Sequence, residues 1–365
     1  MGSFQVSSIR RFRIGALVFA GLVSTGVGST DAALKTTKPA KSTQSTGVMA
    51  ETEQASVPKR PLYSAERSVS RQVTVARARA AALARESADA MLPRYKVDAS
   101  GDLVPDVRAA AAIIYDPGTN QVLWEENSQS QRSIASITKV MTATVFLENN
   151  PDLTQPVTIG RSDVFQASTT RLHGSDHVTV DDLLHLLLIA SDNAAARALA
   201  RVSPYGSDGF VQRMNGKAAE LGLESTHYAD PSGLLSENVS SAYDMARLIT
   251  HASGDDRIAS IMRTPEYTVH MANRGVVTVH STNQLLGRDD VDVRAGKTGF
   301  IAKAGYCLAT LLRLPQSGHQ VAVVVLGARS NAGRFMETRN LFTWLLARAP
   351  TLFATKIPPQ PRPQQ

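Results

Sequence analysis

Strand-length apolar runs stand at both ends of one long block of this chain, and helix-length stretches fill the space between. Ala110–Tyr115 and Gln121–Trp124 flank the turn cluster Asp116-Pro-Gly-Thr-Asn120, which predicts a hairpin. Far along the chain, Val291–Phe300, Gly305–Leu312 and Gln320–Gly327 read as strands, the last a continuous apolar run suited to a sheet interior. Between them Ser136–Leu147, Val180–Val202, Ser207–Leu221 and Ala242–His251 read as helices, and Asn331–Arg348 as a closing amphipathic helix. Strands at the two ends can bury their faces only by sharing a sheet. The expected fold is therefore one α/β domain over residues 105–352, an antiparallel sheet flanked by helices plus a mostly helical lobe.

The 365 residues include one cysteine, Cys307, which rules out a disulfide scaffold and any multi-cysteine metal site. The net charge of +7 is unevenly placed. Residues 1–104 carry +7, residues 105–352 carry −2 and residues 353–365 carry +2. The central block has no clustered basic run, so nucleic acid is not an expected partner.

Arg10-Arg-Phe-Arg13, the apolar run Ile14–Val27 and the small residues after it have the layout of a secretory signal. Residues 1–29 are read as that signal, removed on export to the periplasm or beyond, with cleavage after Ser29 or Ala32. The run is shorter than the roughly 20 residues that span a bilayer, so no transmembrane segment is expected in the mature chain. Residues 30–104 are read as a linker followed by an Ala/Arg-rich, helix-prone stretch at 64–92 with a poor apolar stripe. Residues 353–365 form a Pro-rich tail.

Three short motifs follow in order: Ser136-Ile-Thr-Lys139, Ser191-Asp-Asn193 and Lys297-Thr-Gly299. Each alone has a bland reading, as a helix cap, a helix–helix turn or an edge strand. Together they describe a chemistry. Positions i and i+3 share a helix face, so the Lys139 amine can reach the Ser136 hydroxyl. A serine hydroxyl attacks only when a base takes its proton. A lysine is that base only if desolvation or a nearby cation lowers its pKa, and Lys297 is a candidate cation. Gly299 is read as leaving room for a substrate backbone along the strand, and Asp192 as a spacer. This chemistry asks for no metal and no cofactor. His227 is read as structural and Cys307 as a buried core residue. Neither a P-loop nor a Gly-x-Ser-x-Gly elbow is present.

The set resembles the signature of penicillin-binding proteins and serine β-lactamases. Longer matches narrow the resemblance to the low-molecular-mass D,D-peptidases of peptidase family S11. They are Ile134-Ala-Ser-Ile-Thr-Lys-Val-Met-Thr142, Thr226-His-Tyr-Ala-Asp-Pro-Ser-Gly-Leu234, Ser281-Thr-Asn-Gln-Leu-Leu286, and Ala295-Gly-Lys-Thr-Gly-Phe300 with Ala304-Gly-Tyr-Cys-Leu308. The resemblance covers residues 108 to about 348 and implies the β-lactamase/transpeptidase-like fold. It makes Ser136 the nucleophile, Lys139 its base and Ser191 the proton relay to the leaving amine. It gives Asn193 a substrate carbonyl and Lys297 and Thr298 the carboxylate of the D-residue after the scissile bond, with Gly299 beside them in the substrate-binding set. It puts the oxyanion hole at the N–H groups of Ser136 and Phe300. The implied partners are peptidoglycan stem peptides and covalent β-lactam inhibitors. With only a short Pro-rich stretch after Arg348, the chain resembles the D-alanyl-D-alanine endopeptidase subgroup, which cleaves cross-links. The alternative is a D-alanyl-D-alanine carboxypeptidase. A β-lactamase is disfavoured, because no Glu-x-x-Leu-Asn stretch lies between Asn193 and Lys297. Intact motifs disfavour a non-enzymatic wall-binding protein.

Overall fold

A computed structural model describes residues 73–82, 84–85, 88, 92–315 and 317–354. The expected signal, the linker up to residue 72 and the tail from 355 lie outside the described residues. Of the Ala/Arg-rich stretch, residues 73–82 are helical and exposed, as strong helix propensity without an apolar stripe dictates.

Five strands form the main sheet: β1 (Ala111–Asp116), β2 (Gln121–Glu126), β3 (Asp292–Ile301), β4 (Gly305–Arg313) and β5 (Gln320–Ala328). Their order is β3-β4-β5-β1-β2, and every pairing is antiparallel. The last strand thus pairs with the first, Val324 opposite Ile113. At the β1–β2 turn the Asp116 carboxylate accepts from the Gly118 N–H at 2.9 Å and the Thr119 hydroxyl at 2.7 Å, a side-chain-closed turn. Period-2 alternation divides β5 between two cores. Ala322, Val324 and Leu326 face the large core shared with the helical lobe. Val321, Val323 and Val325 face a smaller core with Phe335, Leu341, Phe342 and Leu345.

The helices are α1 (Thr138–Leu147), α2 (Val180–Leu188), α3 (Asn193–Val202), α4 (Gly206–Glu220), α5 (Ala242–Ser253), α6 (Asp256–Arg263) and α7 (Asn331–Ala354). The single helix expected over Val180–Val202 is two. Its apolar periodicity is real on both sides, but Ser191 takes a left-handed φ of 59°, which ends one helix before the next begins. Ser, Asp and Asn compete for backbone hydrogen bonds and favour caps over helix interiors. Asp192 is the N-cap of α3 and accepts from the Ala195 N–H at 3.0 Å.

The elements not legible in the pattern include α6, the hairpin Glu266–Met271/Gly275–His280, the short pairs Pro156–Thr158/His177–Thr179 and Arg132–Ser133/Val239–Ser240, the one-turn helix Arg161–Val164, and the small hairpin Tyr95–Val97/Leu103–Pro105. The last touches α7, where the Trp344 Nε1 donates to the Leu103 carbonyl at 3.1 Å. Ordered structure therefore begins ahead of Pro105.

Candidate active site

The Ser136 turn and α1, the Ser191 break and strand β3 converge. Ser136 lies in a turn of 3-10 helix, Ala135–Ile137, just ahead of α1. Ala135 is left-handed, with φ of 50°, a conformation that costs a non-glycine residue on the order of 1–3 kcal/mol and clusters at functional sites. Lys139 follows in the first turn of α1 and is fully buried. Its Nζ stands 3.0 Å from Ser136 Oγ and 2.7 Å from Asn193 Oδ1, and it also bonds the Ser232 carbonyl. Three acceptors satisfy an ammonium. In the neutral amine one position becomes a lone pair, which can accept the Ser136 proton.

Ser232 is held by the loop Asp230–Leu235. The Asp230 carboxylate accepts from the N–H groups of Gly233 and Leu235 at 2.8 and 2.7 Å and from Asn238 Nδ2 at 2.9 Å. Burial alone would raise the Asp230 pKa, but these bonds and those from Ser232 hold it below the ordinary carboxylate value. The loop packs directly on the Ser136 turn. A Cβ on Gly233, at φ of 80°, would stand 2.1 Å from the Ala135 carbonyl oxygen.

Lys297 sits in β3, at the edge of the sheet. Its Nζ donates to Ser191 Oγ at 2.8 Å and to the Thr298 carbonyl at 3.0 Å. The Thr298 and Thr282 hydroxyls share a hydrogen bond of 2.6 Å. Gly299 is needed for a different reason than expected. A Cβ there would lie 2.7 Å from the Ile134 carbonyl and 3.1 Å from the Ser136 nitrogen, so the strand rests against the nucleophile turn itself. Phe300 follows, half-exposed, its ring stacked on Tyr306 at 4.2 Å.

Asn193 also departs from expectation. Its Oδ1 accepts from Lys139, and its Nδ2 donates to the Ala167 carbonyl at 2.7 Å and the Ser168 hydroxyl at 3.3 Å. The amide is occupied by the protein. A substrate carbonyl would have to replace the longer, Ser168 bond. Asp192 is no spacer: besides capping α3 it accepts from the Arg171 N–H at 2.6 Å and the Thr170 hydroxyl at 2.9 Å.

The charge pattern reverses one expectation. Burial lowers the Lys139 pKa to about 7, against the pull of the Asp230 and Asp192 carboxylates, while Arg197 adds to the lowering. Lys297 is driven well below the ordinary lysine value by burial and by two cations, Lys139 and Arg334. Carboxylates support the charge on Lys139, whereas only cations bear on Lys297, so the protein's own charges favour the proton on Lys139 over Lys297.

Arg334, on α7, carried no sequence signal, because an arginine on a closing amphipathic helix reads as solvated. It is buried and donates to the Gly299 carbonyl at 2.9 Å and the Cys307 carbonyl at 3.1 Å. It fixes the end of β3 beside Phe300. Cys307 is buried, its thiol pushed up to about 11 by desolvation.

If Lys139 is the base for Ser136, acylation of Ser136 should rise with pH, with an acidic midpoint at about 7. Arg197→Gln removes a cation that lowers this pKa, and the midpoint should move upward. Stopped-flow acylation rates from pH 5 to 9 check both, and a limb indifferent to Arg197 would place the base elsewhere.

The family of D-alanyl-D-alanine carboxypeptidases, peptidase S11, matches residues 98–330. The chain belongs to peptidase family S11. It is similar to the D-alanyl-D-alanine endopeptidase of Pseudomonas aeruginosa, 32% identical over 246 residues, covering 67% of this chain and 79% of that one. It is also similar to the D-alanyl-D-alanine carboxypeptidase DacC of Escherichia coli, 33% identical over 66% of this chain and 62% of that one. Among solved structures, the DD-transpeptidase of Streptomyces K15 superposes with a TM-score of 0.63 at 28% identity, covering 67% of this chain and 98% of that one. The fold is that of the β-lactamase-like D,D-peptidases, and the S11 chain is a serine-type D-alanyl-D-alanine peptidase.

Proposed function

We propose that this chain cleaves D-alanyl bonds of peptidoglycan stem peptides through an acyl-enzyme on Ser136, and that it works as a D,D-endopeptidase on cross-links. The observation that carries the reading is the buried Lys139 amine, 3.0 Å from Ser136 Oγ and with a pKa near 7. A base with that pKa is half free at neutral pH.

In this reading Lys139 takes the Ser136 proton as Oγ attacks the D-alanyl carbonyl. The oxyanion is met by the N–H groups of Ser136 and Phe300, where each donor is worth on the order of 10²–10³ in rate. Ser191 passes a proton to the leaving amine. Lys297 and Thr298 hold the carboxylate of the residue after the scissile bond, with Gly299 letting the strand lie against the nucleophile. The carboxylate is the counter-charge that Lys297 lacks, so binding favours its ammonium form. Water then attacks the ester with Lys139 again as base. β-Lactams acylate the same serine. Asn193 positions Lys139 and the loop that carries Ser168.

The endopeptidase relative is matched over a larger share of its length than the carboxypeptidase, which supports the cross-link reading. Identity to DacC, 33%, keeps a carboxypeptidase as the second reading. We read residues 1–29 as an export signal, residues 30–104 as a linker segment, residues 105–352 as the catalytic domain and residues 353–365 as a tail. The site of action is then the periplasm, where its substrate lies. Among the described residues no helix is long and apolar enough to cross a membrane.

The test is muropeptide analysis after incubating the purified full chain with cross-linked and with uncross-linked, pentapeptide-rich peptidoglycan. Dimers should fall to monomers while pentapeptides persist. Trimming of pentapeptides with dimers intact would establish the carboxypeptidase reading instead. Intact-mass detection of a penicillin adduct verifies that the preparation is active.

A further inference from the structure

Beside Ser191 lies a cavity of about 370 Å³, open to solvent, that none of the steps above uses. This volume falls in the ~300–1,000 Å³ range of small-ligand pockets. Its position follows from its walls. Ala190 and Asp192, which flank Ser191, line it, and so does Thr282, which is bonded to Thr298. Ser191 and Thr298 are the residues assigned to the leaving amine and its carboxylate, so the cavity continues the site on the leaving-group side.

One wall is the loop Ser168–Arg171. Counting the Ser168 bond to Asn193, five hydrogen bonds tie this loop and the adjoining Ala167 to the Ser-Asp-Asn motif. The Asn193 N–H and Nδ2 donate to the Thr169 and Ala167 carbonyls at 2.9 and 2.7 Å. Asp192 accepts from Thr170 and from the Arg171 N–H, at 2.9 and 2.6 Å. The Arg171 carbonyl is held in turn by Arg274 at 2.9 Å. Both the backbone N–H and the C=O of Arg171 are therefore pinned, while its side chain is exposed. Among the described residues no carboxylate or other acceptor pairs with its guanidinium. The other ionisable side chains lining the cavity have partners of their own: His280 Nδ1 lies 2.9 Å from a Glu266 carboxylate oxygen, and the Asp192 carboxylate accepts from three donors. A cation on a fixed backbone, lining a cavity and without a partner among the described residues, is preorganised for an anion.

The leaving group of a cross-link is a whole stem peptide, with carboxylates beyond the one on its D-centre. The leaving group of a terminal trim is a single D-alanine, whose only carboxylate is already taken by Lys297 and Thr298. We propose that Arg171 binds a further carboxylate of the leaving stem peptide and so selects cross-links over terminal D-alanine. This assignment rests on the cross-link reading of the site and names the residue that would enforce it.

Steady-state kinetics of the full chain on a purified muropeptide dimer, with a pentapeptide monomer and penicillin as comparisons, test it. Arg171→Gln should raise the KM for the dimer by ~10-fold or more with kcat unchanged, as expected for loss of one charge-assisted bond made in both ground and transition states. Penicillin acylation and pentapeptide turnover should not move, and Arg171→Lys should recover part of the loss. A dimer amidated on its leaving stem should lose the same factor with the parent chain and nothing further with Arg171→Gln. Equal dimer kinetics for parent and Arg171→Gln would overturn the assignment. So would an equal loss of penicillin acylation, which would make the residue structural. A parent chain that trims pentapeptides and leaves dimers intact would overturn the cross-link reading first, an outcome distinct from either.

Discussion

Ser136→Ala, Lys139→Met and the double variant should all settle at one residual rate, on the order of 10⁵–10⁶ below the parent chain. The reason is that the two side chains form one unit, joined at 3.0 Å. Without the hydroxyl there is nothing for the amine to deprotonate. Without the amine the hydroxyl stays a poor nucleophile, since among the described residues no second base touches it. Losses in such a unit do not add. Turnover of a cross-linked muropeptide dimer and the mass of the penicillin adduct read the effect. Methionine keeps much of the lysine volume, but it leaves Asn193 Oδ1 and the Ser232 carbonyl without the donor they now have, each at ~1–3 kcal/mol. A melting curve separates that cost from lost chemistry. Lys139→Met activity within ~10-fold of the parent would show that the base lies elsewhere, since a general base contributes ~10²–10⁴.

Gly233→Ala should cost at least ~10² in acylation rate although residue 233 touches no substrate. The added Cβ would stand 2.1 Å from the Ala135 carbonyl oxygen and 2.9 Å from the Ser136 nitrogen. Both are backbone atoms, so no rotamer can relieve the clash, and either the loop or the nucleophile turn must shift by about 1 Å, a displacement that costs ~10²-fold in rate. The left-handed φ adds a conformational penalty of ~1 kcal/mol or more. Gly287→Ala is the matched control: its φ is also positive, 75°, but nothing lies within 4 Å of the added carbon. It should lose a little stability and no acylation. Similar acylation by the two variants would sink the idea that Asp230–Leu235 buttresses the nucleophile.

What the sequence reveals here follows the range of the forces involved. The Ser136–Lys139 pair is legible because three residues on a helix fix a shared face. The sheet is legible because Val321–Val325 is apolar on both faces, and its partner strand Ala111–Tyr115 is equally so. The break at Ser191 was hidden by periodic leucines and alanines on either side of it, which a count of apolar positions joins into one helix. Asp192 looked idle because its partners, Thr170 and Arg171, arrive from a loop with no motif. The charge on the lysines was misjudged for the same reason. Asp230 and Arg334 decide it, and neither stands near a lysine in the chain.

The pairing of β5 with β1 has a consequence for how the enzyme comes into being. Ser136 and Lys139 follow the first hairpin, but Lys297 comes much later, and the strand that closes the sheet onto β1 comes last. Contacts of such long sequence separation must wait for loop closure across most of the domain, which slows folding and exposes unpaired strand edges meanwhile. While the first half waits for its partner strands, β1 has β2 on one side and an open edge on the other, and Ser136 has no β3 to lie against. A truncated chain ending before β5 would stay in that condition permanently. If Ser136 is the nucleophile, covalent capture by a β-lactam should therefore report that the final strand has docked, and a chain clipped before β5 should be neither active nor labelled.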